Sequence, residues 1–395
     1  MVKDINVNIS YAFYYSSGAF SSGEMFLNRI KGLFGSVTVY DEDMQTDDPN
    51  IKDMQTAQKF LRGGGQTYKV YRAFINDIRL GADEKGPQRF CIMCTYFEES
   101  DIISISFHYE LKGITSDEVI AVRQSGVHVE YESADGRLSC SAIATKIRTD
   151  LGLSVHDESS TLIEITKFGD YDSLSKIEQE KKNLLYGMLS GDEGYEFVPD
   201  ELVDQRLALS WGSRDFIRIY AAKQAFLFVN LIKTPHQREY LDRQIRFGTA
   251  TYGGCDPYFF MEECPLTVNH GILFSVEFVM VLKALVNEVL MFQTKHRKRV
   301  HASYYKRIRE TREFRRKIIK VLEKVEQTQI AEIGELSAVL LNSQHVAPII
   351  EEVKYLLELL EGDLSLIYSE RNNAMVTVLT VLGLLLAVWQ VLLAL

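Results

Sequence analysis

Cysteine is scarce. The five in this 395-residue chain, at positions 91, 94, 140, 255 and 264, form no dense framework. That excludes the small disulfide-stapled classes and points to a reducing compartment. A signal peptide is missing too: Met-Val-Lys-Asp leads into a polar and aromatic mix, so the segment ahead of any anchor is expected to be cytoplasmic. There are no internal repeats and no low-complexity linker. Neither Gly-x-Ser-x-Gly nor His-Glu-x-x-His occurs, and Arg62-Gly-Gly-Gly-Gln66 lacks the Gly-Lys-Ser/Thr of a phosphate loop. The expectation is a protein that is not an enzyme.

Metal-ligand patterns are equally thin. Cys91 and Cys94 form a CxxC, but in a strand-like run where positions three apart face opposite ways. Cys255, Cys264 and His270 have loose ligand-like spacing and lack a fourth ligand. Asp41-Glu-Asp and Asp47-Asp48 read either as solvated loop charges or as a regulatory contact for Ca²⁺ or Mg²⁺. No metal site is expected, and no cofactor is specified.

What is present is a folding chain: 46% hydrophobic, 25% charged, with 20 Tyr and 21 Phe, a composition that argues against disorder. The net charge of −10 is unevenly spread. Lys295 to Lys320 holds twelve Lys/Arg against Glu310 and Glu313, a local +10, so the remainder carries −20.

Val7–Tyr15, Phe90–Phe97, Ile102–Leu111, Leu162–Thr166 and Ile217–Leu231 are rich in β-branched and aromatic residues, as strands are. Met25–Leu33, Ile51–Phe60 and Leu174–Leu189 read as helices. Residues 1–265 are therefore expected to form an α+β body, in one or two subdomains. Trp211-Gly-Ser-Arg-Asp215 is a tight loop that reads as a packed turn or, through Trp211 and Arg214, as a holder of a nucleotide base and phosphate. From 271 to 341 the pattern is helical, with the basic segment 295–320 inside it. Ile272 to Phe292 is apolar but carries Glu277, Lys283 and Glu288. Each charge costs about 3 kcal/mol at mid-membrane, so this stretch reads as a buried or amphipathic helix.

Asn342–Val346 breaks the pattern, and Pro348 suits the first turn of a new helix. Residues 346–373 read as a stalk helix with a seven-residue stripe, Val346, Ile349, Val353, Leu356, Leu360 and Ile367, suited to a helical bundle or coiled coil. Folding back about a turn near His345 with equal spacing would set Lys320 beside Glu370. The basic run, with Arg312, Arg315, Arg316 and Lys320, is then expected at the membrane surface, against anionic headgroups or around a pore mouth.

Residues 374–395 contain no charge. At 1.5 Å per residue, 22 residues cover roughly 33 Å, enough for the ~30 Å hydrocarbon core. The sequence ends there, so the expectation is a single C-terminal transmembrane helix, a single-pass membrane protein whose partner is the lipid bilayer. Arg371 and the basic run upstream put the body in the cytoplasm. At 100° per residue, Asn373, Thr380, Gly383, Ala387 and Gln390 share an arc of about 100°, with Thr377 some 40° beyond Asn373. That weakly polar, small-residue face suits either a pore lining or a helix–helix interface.

The run Tyr368-Ser-Glu-Arg-Asn-Asn-Ala-Met-Val-Thr-Val-Leu-Thr-Val-Leu382 resembles the stalk-to-membrane junction of the CorA superfamily of divalent-cation channels. Arg371, Asn373, Met375, Leu379 and Thr380 stand in that family's order with near-matching spacing. The resemblance is specific over 368–382 and loose over 271–395. The family's Gly-Met-Asn signature and second membrane helix are absent, so its ion selectivity does not carry over. The resemblance implies a homo-oligomer, with a pentamer as the family's precedent, and this helix around its axis. Degenerate CorA-like proteins also occur as effectors of bacterial antiviral systems, including CRISPR types that signal with small nucleotides.

The leading expectation is thus a CorA-like, pore-forming or membrane-perturbing effector channel, gated by a small nucleotide-like ligand on its cytoplasmic body, with no nucleic acid as partner. The alternatives are a divergent divalent-cation transporter and a tail-anchored scaffold or binding module. The architecture expected is α+β: an N-terminal cytoplasmic α/β body, a long helical stalk hairpin and a single C-terminal transmembrane helix.

Overall fold

The computed structural model describes residues 1–18, 20–41, 45, 69–75, 79–80, 90–98, 100–125, 130–133, 136–154, 158–231, 270–297, 309, 312, 316, 319, 331–346, 348, 351, 355, 358, 362, 365, 368–369, 371–384 and 386. The chain divides into two units. The first is residues 1–288 with 324–347; the second is 289–323 with 348–395.

The first unit is mixed α/β. Strands β1 (Ile5–Ser16), β2 (Val37–Asp41), β3 (Val70–Ile75), β5 (Phe90–Phe97), β6 (Ile102–Ile114), β9 (Glu158–Phe168), β10 (Ser210–Arg214), β11 (Ile217–Ala222) and β12 (Ala225–Asn230) form one sheet in the order β10-β11-β12-β9-β1-β6-β5-β3-β2. Every neighbouring pair is antiparallel except β9 with β12, which is parallel. Two-residue β4 (Arg79–Leu80), β7 (Glu130–Ser133) and β8 (Gly136–Ser139) make a smaller antiparallel sheet. The strands expected at 7–15, 90–97, 102–111 and 162–166 are β1, β5, β6 and β9, and 217–231 is the β11–β12 hairpin.

The helices are α1 (Gly23–Leu33), α2 (Ser116–Ser125), α3 (Cys140–Leu151), α4 (Leu174–Ser190), α5 (Asp200–Leu207), α6 (His270–Arg297) and α7 (Ala331–Ser343). Sequence dictates their ends. Ser22, Ser139 and Ser173 accept hydrogen bonds from the backbone N–H groups of Met25, Ala142 and Lys176, satisfying donors that a helix start leaves open. Gly152 and Gly191 close α3 and α4 in the left-handed conformation.

Helices cover both faces of the sheet. On one face α1 packs Phe26 on Tyr96, ring centroids 5.4 Å apart. On that same face Glu178 of α4 accepts from Arg218 and from the Tyr220 hydroxyl on β11. The other face is roofed by α6, whose residues 272–286 are all buried. Of the two readings of Ile272 to Phe292, buried or amphipathic, residues 272–286 take the buried one.

The turn expected near His345 is present, with His345 at φ 56°, but it belongs to the first unit. Leu336, Leu340 and Val346 are buried there. Gln344 donates to the Ala222 carbonyl at 2.8 Å and accepts from Gln224 N–H at 3.0 Å, at the tip of the β11–β12 hairpin. A free hairpin about this point with equal spacing is thereby corrected: the stretch around the turn is packed into the body. Lys320 and Glu370 lie outside the described residues, as do Ile51–Phe60 and the seam positions of the stalk other than Val346.

Trp211-Gly-Ser-Arg-Asp215 leads into the turn of the β10–β11 hairpin. Gly212 has φ +132°, and a Cβ there would lie 2.5 Å from the Ile217 carbonyl oxygen. Gly212→Ala is expected to destabilise the protein by roughly 2–3 kcal/mol, read as a lower urea midpoint in tryptophan fluorescence. An unchanged midpoint would mean that the hairpin rebuilds around a side chain.

Candidate functional site: a buried polar row beneath the central helix

Strand register places five polar residues side by side on the face that α6 roofs. Arg72 on β3 stands opposite Thr95 on β5, Thr95 opposite Ser104 on β6, Ser104 opposite Tyr14 on β1, and Tyr14 opposite Glu158 on β9. Residues directly opposite one another share a face, so the row runs across five adjacent strands, about 19 Å from end to end. Arg72 is 1% exposed, and Thr95 and Ser104 are fully buried.

Helix α6 neutralises both ends. Arg72 makes a two-pronged pair with Glu277, Nη1 to Oε1 at 3.0 Å and Nη2 to Oε2 at 2.7 Å. Nη1 also donates to Thr95 Oγ1 at 3.0 Å, and the guanidinium carbon lies 4.3 Å from the ring centre of Phe274, one turn earlier on α6. At the far end Lys283 Nζ is 2.9 Å from Glu158 Oε2, paired by charge rather than by a directed hydrogen bond. Asn287 donates to Glu158 Oε1 at 2.5 Å. Lys283 also reaches Gln344 Oε1 at 3.4 Å, joining α6 to the end of α7.

Further polar residues share this face. Glu164 on β9 accepts from Asn8 at 3.2 Å and Asn230 at 2.6 Å, and Ser106 Oγ lies 2.8 Å from His108 Nε2. Among the described residues Ser104 Oγ and Arg72 Nε have no hydrogen-bond partner. Burial, then the negative charge of Glu277, pushes the Tyr14 phenol well above its ordinary range, so Tyr14 is a neutral hydrogen-bonding group. At both ends of the row a carboxylate faces a cation, Glu277 with Arg72 and Glu158 with Lys283. Chemically it holds a helix on a sheet.

Cys91 and Cys94 are both buried on β5 and face opposite ways, the spacing being odd. Burial pushes the Cys94 thiol up to about 12. Trp211, half-buried, and exposed Arg214 sit on β10, an edge strand of the sheet, and Asp215 accepts from Ser175 N–H at 2.8 Å.

In the second unit, Arg312 donates through Nη2 to the Tyr368 hydroxyl. Equal spacing about His345 would have set residue 322 beside 368, so the approach is displaced by ten residues. The reason is that 324–347 belongs to the body. Arg315 and Lys320 lie outside the described residues, and Arg316 is exposed. The described stalk positions 348, 351, 355, 358, 362, 365 and 369 are helical and exposed, all within an arc of about 100°. Arg371 to Leu384 is helical with every residue exposed, including Met375, Val376, Val378, Leu379, Val381, Leu382 and Leu384. Thr377 and Thr380 donate to the carbonyls four residues back, both at 2.8 Å, while Asn373 and Gly383 are exposed. Gln390 lies outside the described residues. Among the described residues no helix is long and apolar enough to cross a membrane.

No sequence-family model, no curated protein and no solved structure matches the chain.

Two outcomes follow from the row. Glu277→Gln strands a buried cation and is expected to destabilise the protein by about 3–5 kcal/mol, whereas Arg72→Met with Glu277→Leu is expected to restore most of that. Denaturation followed by near-UV circular dichroism checks both, and equal losses in the two variants would show that the pair's charge is not what matters. The Cys94 thiolate is on the order of 10⁻⁴ of the thiol at pH 8, so native protein is expected to resist alkylation there until unfolded, as peptide mass mapping would show.

Proposed function

We propose that the chain is an oligomeric, membrane-anchored effector of the CorA-like kind, whose body senses a ligand and whose C-terminal helix enters the bilayer to line a pore or perturb it. The observation that carries this reading is the helical stretch Arg371–Leu384. Its exposed side chains from Met375 onward include Val, Leu and Met on every side. Large apolar side chains pointing several ways from a helix need a nonaqueous surrounding, and the uncharged run 374–395 has the length for one bilayer.

Two further features support it. Thr377 and Thr380 already satisfy their hydroxyls within the helix, as such residues do in membrane helices. Helix α6 begins in the buried core of the body and continues past Glu288 into the second unit, which gives a ligand-driven change in the body a continuous element to act through. Trp211 and Arg214, on an edge strand, are the groups proposed to meet a base and a phosphate. Arg371 and the basic segment support a cytoplasmic position for the body.

The mass of the detergent-extracted protein, by light scattering with the detergent subtracted, tests the assembly. Four to six chains are expected. A monomer would remove the pore and leave a tail-anchored binding module.

A further inference from the structure

Arg309, Arg312 and Arg316 are helical and exposed. At 100° per residue they fall within about 60° of one another, and Arg309 and Arg316 lie about 5 Å to either side of Arg312 along the axis. They form one basic face within a segment of local charge +10.

Arg312 fixes where that face lies along the C-terminal helix. It donates to the Tyr368 hydroxyl, and its guanidinium carbon is 5.9 Å from the ring centre. Tyr368 precedes exposed Arg371 by three residues and Ala374, the first residue of the uncharged run, by six. Six helical residues are about 9 Å, while the headgroup layer beyond the hydrocarbon is about 5–8 Å deep on each side. With the run inserted, Arg312 and Tyr368 stand at the outer edge of that layer, where a long guanidinium side chain reaches back to the lipid phosphates. A tyrosine is favoured there, and a guanidinium matches a phosphate with two parallel hydrogen bonds.

We infer that Arg309, Arg312 and Arg316 bind the headgroup phosphates of an anionic leaflet and so set the depth of the C-terminal helix. The inference rests on the membrane reading given above and adds a lipid preference to it. The occupant is a phospholipid headgroup; charge complementarity and the 9 Å offset from the apolar run select it.

The test uses the full chain reconstituted in phosphatidylcholine vesicles doped with spin-labelled phosphatidylglycerol or phosphatidylcholine. Resistance to alkaline carbonate extraction first reports insertion. Electron spin resonance then gives the association constant of the anionic lipid relative to the zwitterionic one. The expected preference is about fivefold or more, since each basic side chain at such a surface favours an anionic lipid by about that factor. It is expected to fall severalfold in R309Q/R312Q/R316Q, which still inserts, and to about one in wild type at 1 M salt. Wild-type protein that inserts but shows no preference overturns the inference and leaves the membrane reading standing. A preference unchanged in the triple variant overturns it too, by moving the site elsewhere. Loss of the preference on adding millimolar inorganic phosphate at constant ionic strength assigns the face to free phosphate and overturns the lipid assignment. Protein that fails to insert overturns both readings.

Discussion

Arg72 and Glu277 are 205 residues apart in sequence and 2.7 Å apart in space, and almost nothing of either side chain reaches water. Removing two charges from solvent is so unfavourable that only close geometry with further hydrogen bonds offsets it. The pair therefore acts as a constraint. A step of one residue along α6 turns the helix by 100° and leaves Arg72 without its counterion. Lys283, six residues on, imposes the same condition against Glu158. With both ends matched, α6 has one register on the sheet, and a face lined with Thr95, Ser104, Ser106 and His108 becomes compatible with an interior.

That face explains what the sequence concealed. Asn8 and Ser10 on β1, Thr95 on β5, and Ser104, Ser106 and His108 on β6 alternate with apolar residues, the pattern of a strand wet on one side. All are buried, on the face where α6, more than a hundred residues downstream, meets Arg72 and Glu158. The legible signal was the converse: Glu277 and Lys283 inside an apolar run, which told against a membrane span and demanded buried partners without naming them. Which side chains answer that demand depends on strand register, and register between β3 and α6 is a tertiary fact. Strands β1, β5 and β6 and helices α1 and α4 were legible because their periodicity is local. β3 was not, because Arg72 interrupts its apolar run and only the pairing with Glu277 makes that residue acceptable. The hairpin turn at Trp211 was legible as a turn through its glycine, while the role of Asp215 at the start of α4 was not, since it joins residues forty apart.

The two units meet their surroundings in opposite ways. In the body, Arg72 with Glu277 and Lys283 with Glu158 are enclosed as matched pairs. In the second unit, the helix from Arg371 leaves leucine and valine bare, and its threonines turn inward to their own backbone. Eight large apolar residues from Met375 to Leu386 are exposed there, the feature on which the membrane proposal rests. Helix α6 belongs to both regimes, with residues 272–286 packed into the body and its last turns beyond the boundary at Glu288.

Strand β1 lies in the middle of the nine-stranded sheet, between β6 and β9. Its neighbours are made much later: β6 ends at residue 114 and β9 at residue 168. At about 5–20 residues per second of synthesis, β1 leaves the ribosome with both hydrogen-bonding edges bare and waits roughly ten to thirty seconds for the second to be covered. A twelve-residue strand rich in tyrosine and isoleucine is a ready template for wrong pairing in that interval. The yield of folded protein in a cell therefore depends on how fast the next 150 residues are translated and on what shields β1 until they arrive.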